Sequence, residues 1–247
     1  PQDFTPDTRR VREVFGRCRA ERRVLLTEAE AKEVLAAYGV PVVPTVACRS
    51  AGEAVAAATS LGYPVVLKLL STVVTHKSDV GGVQLGLADE AAVRAAFERI
   101  GENVARLGRA DDFQGVTVQS MIEGRGYELI VGSSVDRQFG PVILFGAGGV
   151  LVEVFQDRAL GLPPLNRTLA RRLMERTRIC EALKGVRGRP AVDREALETL
   201  LARFSQLLVD VPEVQEVDMN PVLAGPEGVI ALDARVLLCP ADQPEGD

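Results

Sequence analysis

The run Val65-Val66-Leu67-Lys68-Leu69-Leu70 constrains the fold of this chain more than any other stretch. It is apolar at every position but one, follows Gly62 and Pro64, and is too short for an ordinary helix, so it reads as a buried strand. A lysine inside such a strand has two outcomes. Either its ammonium group reaches water at an exposed edge or strand end, or the charge is desolvated and an anion must meet it.

Short, clearly punctuated helices surround this strand. Thr27-Glu28-Ala29-Glu30 has capping-box spacing, after which Ala31, Val34, Leu35 and Tyr38 share a helical face and Gly39 and Pro41 end the helix. Ser50-Ala51-Gly52-Glu53 opens a second helix with Ala54, Val55, Ala58 and Leu61 on one side, stopped by Gly62. Val83 to Leu87 then reads as a strand, and Asp89 caps a helix with Val93, Ala96, Phe97, Ile100 and Val104 inward. Further strands are expected at Val116 to Gln119, Glu128 to Val131, Val142 to Phe145 and Val150 to Val154. Two helices follow, near 168–179 and 193–209, and then strands at Val214 to Met219 and Val229 to Leu232. This order predicts an α+β fold of two lobes rather than one doubly wound sheet. The expected divisions are a lead-in over 1–23 with room for one helix on Val11, Val14 and Phe15, an N-terminal lobe over 24–115, a C-terminal lobe over 116–240 and a tail over 241–247.

Lys and Arg are interspersed with Asp and Glu at a net charge of −5, so no basic stripe points to a nucleic-acid duplex and any bound phosphate would be held locally. The 247 residues suffice for a substantial core, and no apolar run is long enough to span a bilayer. A cytoplasmic location is expected. Cys18, Cys48, Cys180 and Cys239 are scattered, with no close-spaced pair or nearby histidine, which argues against a zinc site or a disulfide framework. The opening on Pro1 rather than Met reads as a piece cut from a longer chain.

Thr75-His76-Lys77-Ser78-Asp79-Val80-Gly81-Gly82-Val83 holds the chain's only histidine, in a polar loop between two strands. Near neutral pH histidine serves as base, metal ligand or phosphate carrier. A polar loop argues against a satisfied core histidine, and an ordinary loop residue is the alternative. The Gly81-Gly82 pair leaves room for backbone amides to approach an anion.

Near the end, the stretches Glu216 to Leu223 and Val229 to Arg235 flank Gly225-Pro226-Glu227-Gly228. A hairpin centred on Pro226-Glu227 sets Asn220 opposite Asp233 and Asp218 opposite Arg235 on one face, with Val217, Met219, Leu232 and Ala234 on the other. Two adjacent oxygen donors suit Mg²⁺ when substrate phosphates and water complete its shell. The alternative is a cross-strand Asp218–Arg235 ion pair on a solvated face. Glu128, at the head of an apolar strand, either accepts from a ribose hydroxyl or simply begins a strand at the surface. Gly146-Ala147-Gly148-Gly149 follows a strand, but no Lys-Ser/Thr follows it and the next residues read as strand, so it is neither a P-loop nor a dinucleotide fingerprint. A strand-to-strand turn is the simpler reading.

Six stretches in order carry a family resemblance: Gly62 to Lys68, Thr75 to Val83, Gln138 to Pro141, Phe145 to Gly149, Asp218 to Pro221 and Leu232 to Arg235. Over about Leu26 to Leu238 the chain resembles the ATP-grasp domain of the ADP-forming acyl-CoA synthetases, their β half, which is related to the succinyl-CoA synthetase β-subunit. The resemblance implies an ATP-grasp fold of two α+β lobes with ATP or ADP between them. It implies Lys68 on the phosphates, Gly81 and Gly82 over them, and Gln119, Ser120, Met121 and Ile122 along the adenine. Glu128 and Arg235 then belong to the nucleotide site, and Asn220 and Asp233 match Mg²⁺ ligands. His76 matches a phosphate-carrying histidine, and Asp218 an acid beside the incoming phosphohistidine. The chain has no CoA-binding Rossmann segment, so it needs a CoA-binding partner subunit or the rest of a longer chain. Ala159 to Asn166 and Gly185 to Pro190 look more like the version fused to a GNAT protein-lysine acetyltransferase. That implies a second reading, a nucleotide- or acyl-CoA-sensing regulatory domain.

Overall fold

The computed structural model describes residues 4–71, 74, 77–122, 126–149, 157–186 and 188–240. In chain order the helices are α1 (Thr8–Ala20), α2 (Glu28–Ala37), α3 (Ala51–Leu61), α4 (Glu90–Arg106), α5 (Arg167–Glu175), α6 (Ile179–Leu183) and α7 (Arg194–Asp210). The strands are β1 (Thr45–Cys48), β2 (Val65–Leu69), β3 (Val83–Leu87), β4 (Val116–Ser120), β5 (Tyr127–Asp136), β6 (Gly140–Ala147), β7 (Arg158–Gly161), β8 (Val214–Gly225), β9 (Gly228–Ala231) and β10 (Arg235–Leu238). The chain divides into two compact units, the smaller made of Thr27–Ala29 and Val43–Glu123, the larger of the rest.

In the smaller unit an antiparallel sheet runs β1-β4-β2-β3. Alternation along β2 sorts its residues. Val65, Leu67 and Leu69 join Ala54 and Ala58 of α3 and Val93, Ala96 and Ile100 of α4 in one apolar core. Lys68 lies opposite Thr117 and Val66 opposite Gln119, and all four are buried. Both helices start on the expected caps: Ser50 Oγ accepts from the Glu53 N–H at 3.2 Å, and Asp89 Oδ1 from the Ala92 N–H at 2.8 Å.

The larger unit holds an antiparallel sheet in the order β10-β8-β5-β6-β7, with β9 also on β8. Its core joins Val131, Phe145 and Met219 of the sheet to Phe15 of α1, Leu35 of α2, Met174 of α5 and Phe204 of α7. Each such side chain contributes roughly 1.5–3 kcal/mol relative to exposure.

Several expectations change here. Residues 1–23 are more than a lead-in, because Val11, Val14, Phe15 and Cys18, spaced as one face of α1, are buried in the larger core. The expected boundary at 115/116 moves to 123/124, since β4 bonds to both β1 and β2 and therefore belongs to the smaller sheet. Most of α2 belongs to the larger unit. The expected helix over 168–179 is two: the Asp157 carboxylate accepts from the N–H groups of Arg178 (2.7 Å) and Ile179 (2.6 Å), capping a new start at α6. The expected strand at 150–154 lies outside the described residues. Among the described residues no helix is long and apolar enough to cross a membrane. All four cysteines are free thiols, three buried and Cys239 half-buried.

Candidate functional site

Lys68, Gly81, Gly82 and Gln119 to Ile122 fall in the smaller unit. Lys68 is 7% exposed on an inner strand, which removes the edge-strand alternative. The anion that meets it belongs to the protein: Lys68 Nζ donates to Glu28 Oε1 at 2.8 Å. Lys77 Nζ donates to the other oxygen of the same carboxylate, at 2.6 Å. Sequence reasoning missed Glu28, reading it only as part of a helix cap. At the first position of α2 a carboxylate is also favoured by the helix dipole, and nothing in local spacing announces a partner forty residues away.

The turn after Lys77 is fixed by its own backbone. Lys77 O accepts from the Gly82 N–H at 2.8 Å, Gly82 O accepts from the Leu69 N–H at 2.6 Å, and Asn103 Nδ2 of α4 donates to Gly81 O at 3.1 Å. Gly81 has φ +65, and a Cβ on Gly82 would lie 2.9 Å from both Leu69 Cβ and Lys77 O. The glycines are thus required for close approach. The Gly82 amide is engaged inside the turn, so the expectation that it stands open to an anion does not hold for this N–H. Gln119 is buried on β4, Ser120 pairs with Val65, the Met121 N–H donates to Pro64 O at 3.0 Å, and Ile122 is exposed. His76 lies outside the described residues.

Glu128, Asp218, Asn220, Asp233 and Arg235 fall in the larger unit. The hairpin has the derived register: Gly225 faces Gly228 and Val222 faces Ala231, and after a break at 232–234 Asp218 faces Arg235. Both segments are in phase, and within the break Leu232 N–H donates to Pro221 O at 2.9 Å; the same count sets Asn220 against Asp233, a position inside the break and outside the strand pairing. Val217, Met219 and Ala234 are buried on the other face. Lys32, 3% exposed, donates to Leu232 O at 2.9 Å and braces the break beside Asp233; it too escaped the sequence reading.

The alternative Asp218–Arg235 ion pair is absent. Arg235 reaches Glu216 instead, at 3.1 Å. Asp218 lines an open, largely apolar cleft of about 900 Å³ with Ile130, Val142, Leu144 and Leu160. Burial, then the like charges of Glu216 and Asp233, push its carboxyl above the usual range, against the pull of Arg235. Gly148 and Gly149 pack on β5: the Gly148 N–H donates to Glu128 O at 2.8 Å, and a Cβ on Gly149 would collide with Glu128 Oε2. The glycine turn therefore makes room for the Glu128 carboxylate.

The donor set fits a cation whose shell is completed from outside. Asn220 and Asp233 are two oxygen donors that the register count brings to the same level of the hairpin, and among the described residues no three His, Cys, Asp or Glu side chains gather for a metal. Mg²⁺, which keeps several waters and binds through one or two protein oxygens plus substrate phosphates, suits such a half-shell.

The ATP-grasp domain model matches residues 17–238. The chain is 37% identical to the acetate–CoA ligase [ADP-forming] I subunit beta of Pyrococcus furiosus, over 93% of this chain and 98% of that one. It is 38% identical to the 4-hydroxybutyrate–CoA ligase [ADP-forming] of Nitrosopumilus maritimus, over 94% of this chain but about a third (34%) of that protein. Among solved structures it superposes with a TM-score of 0.88 and 39% identity on the acetyl-coenzyme A synthetase 1 of Ca. Korarchaeum cryptofilum in complex with coenzyme A and Ca-AMPCP, covering 92% of this chain and 99% of that chain. Another structure of that synthetase holds coenzyme A and Mg-AMPPCP with its phosphohistidine segment pointing towards the nucleotide binding site; there the TM-score is 0.81 at 38% identity, over 93% of this chain and 100% of that one. Two α+β units, a buried lysine and a pair of oxygen donors on one hairpin accord with this likeness, and the chain belongs to the ATP-grasp domain family, in the form found as the β subunit of ADP-forming acetate–CoA ligases.

Proposed function

We propose that this chain is the nucleotide-handling half of an ADP-forming acyl-CoA synthetase, exchanging a phosphoryl group between ATP/ADP and a phosphohistidine. What supports the reading is the span of the match, 98% of a β subunit, by a chain that carries Lys68, Asn220 and Asp233. A CoA-binding half, as a separate subunit or within a longer chain, would form the acyl phosphate and acyl-CoA.

Phosphoryl transfer requires mainly positioning and neutralisation of charge spread over the transferred oxygens. Lys68, already dehydrated in its strand, interacts with a phosphate more strongly than a hydrated lysine would. Mg²⁺, when bound, supplies the remaining neutralisation, and Asn220 and Asp233 would hold it. Glu128 accepts from a ribose hydroxyl. Asp218 accepts the N–H of the imidazole on the ring nitrogen that does not carry phosphate, orienting it in a largely apolar cleft. His76 attacks the γ-phosphorus through nitrogen; the bond to the β–γ bridging oxygen breaks and ADP leaves with that electron pair.

The test mixes the chain with γ-labelled ATP, Mg²⁺ and the CoA-binding subunit of an ADP-forming acetate–CoA ligase. Acid-labile, base-stable label on His76, absent from His76→Asn, is expected. Nucleotide binding without a labelled histidine would sink catalysis and favour the regulatory reading, in which a fused acetyltransferase senses the nucleotide. Asp233→Ala should lose most of the Mg²⁺ dependence of ATP binding in calorimetry, and an unchanged dependence would remove the metal assignment.

A further inference from the structure

We propose that Glu28 is the positioning residue of the phosphate subsite: a buried carboxylate that holds the ammonium groups of Lys68 and Lys77 side by side and so sets where a nucleotide's phosphate chain is received. This rests on the nucleotide reading given under Proposed function.

The three side chains are withdrawn from water, Glu28 at 2% exposure, Lys68 at 9% and Lys77 at 18%. Each lysine has its own oxygen, Lys68 on Oε1 at 2.8 Å and Lys77 on Oε2 at 2.6 Å. The two oxygens share one carbon, so the ammonium groups stay neighbours while both bonds hold. A lysine head on four flexible carbons is otherwise a poorly placed donor, and a buried one without a counter-charge drifts towards its neutral form. Glu28 supplies both lysines with one fixed counter-charge and aims them.

The same contact fixes backbone. Lys68 is part of β2, while Lys77 begins the turn whose Gly82 N–H returns to Lys77 O, and Gly82 O receives the N–H of Leu69, the residue after Lys68. Strand and glycine turn are thus tied together with the Glu28 carboxylate at their polar end. A buried charge cluster is a poorer stabiliser than apolar residues of equal size, so stability alone does not account for three charges at this place. Presenting paired cations to a nucleoside di- or triphosphate does, because ordering the lysines beforehand removes an entropic cost from binding.

The test uses the 247-residue chain and its Glu28→Gln, Glu28→Asp and Lys77→Met variants, with MgADP and MgATP titrated calorimetrically and the fold checked by thermal melting. Glu28→Gln should weaken nucleotide binding at least tenfold, and Glu28→Asp, which keeps the charge, should recover to within about threefold of wild type. Glu28→Gln within twofold of wild type would overturn the proposal, as would an equal loss in both variants, since that marks shape rather than charge. Trace acetylation of the nucleotide-free chain, read lysine by lysine, is independent of any nucleotide. Lys77 should label at least fivefold faster in Glu28→Gln, and equal rates would overturn the clamp. If wild type binds no nucleotide while acetylation behaves as expected, the nucleotide reading fails and the clamp stands. If Glu28→Gln does not fold, Lys77→Met decides: Lys68 should label faster by no more than twofold and nucleotide binding fall about fivefold, and unchanged binding would count against the pairing.

Discussion

The lysine cluster of the smaller unit and the acidic hairpin of the larger one differ in what holds their polar atoms in place. Glu28 and Lys68 are buried and fixed by contacts to one another across forty residues of sequence. Asn220 and Arg235 are exposed, Asp218 and Asp233 half-buried, and all four are placed by the phase of the strands that carry them. A packed cluster is specified by its partners; a hairpin face is specified by counting. The first kind resists change and fails abruptly, whereas the second tolerates substitution at a side chain but not a shift of register.

The largest expected contrast is in unfolding. Lys68→Met leaves the buried Glu28 carboxylate without one of its cations and should cost about 3 kcal/mol in urea titration. Asp233→Ala should cost no more than about 1 kcal/mol, mainly through the cap that its side chain gives to the Ala234 N–H at 2.8 Å. Equal costs would erase the distinction. Glycines give the next contrast. Gly82→Ala drives a methyl group to 2.9 Å from Leu69 Cβ and should cost about 2 kcal/mol. A Cβ on Gly228, in the hairpin turn, meets nothing within 4 Å, so Gly228→Ala should cost only the strain of φ +133, about 1 kcal/mol.

A buried acid in the helical layer sharpens the comparison through pH. Glu198 of α7 is gripped by Arg171 at 2.7 and 3.0 Å, and that bond, opposed by burial, holds its carboxyl below the ordinary glutamate value of 4.5. Its folded-state pKa is depressed, so its stabilisation is complete above the unfolded value and is lost as pH falls through the folded one. The stability gap between wild type and Glu198→Gln should therefore be constant from pH 7 to about 5.5 and shrink below about pH 4.5. A gap that widens on acidification would reverse the assignment. The smallest effect concerns thiols. Burial pushes Cys48 of the smaller unit up to about 11 and raises Cys18 and Cys180 of the larger one, leaving half-buried Cys239 as the ready site. One thiol should react quickly with a disulfide reagent at pH 8 and three only after denaturation. Rapid reaction at Cys48 would mean that the smaller sheet opens without unfolding.

The features legible in the sequence were those with a short period or a local cap. Ser50 and Asp89 announced α3 and α4, and period-two counting gave the pairings of Val222 with Ala231 and Asp218 with Arg235. One helix was legible in 1–23 from Val11, Val14 and Phe15, but its burial in the larger core, with Cys18, was not. β1 and β7, each of four residues with exposed Val46 and Leu160, have too little alternation to declare themselves. Glu28 and Lys32 were illegible for a different reason. Their significance lies in the groups they meet, Lys68 with Lys77 and the carbonyl of Leu232, and long-range pairing leaves no mark on local composition.

The break at 232–234 has one more consequence. Because β9 and β10 resume on β8 with no residue gained or lost between them, the interruption acts as a pause in a clock rather than a reset. One residue inserted there would turn every later side chain of β10 through half a cycle, sending Val236 and Leu238 outward and Arg235 into the core, so this half-buried break carries the register of the last strand.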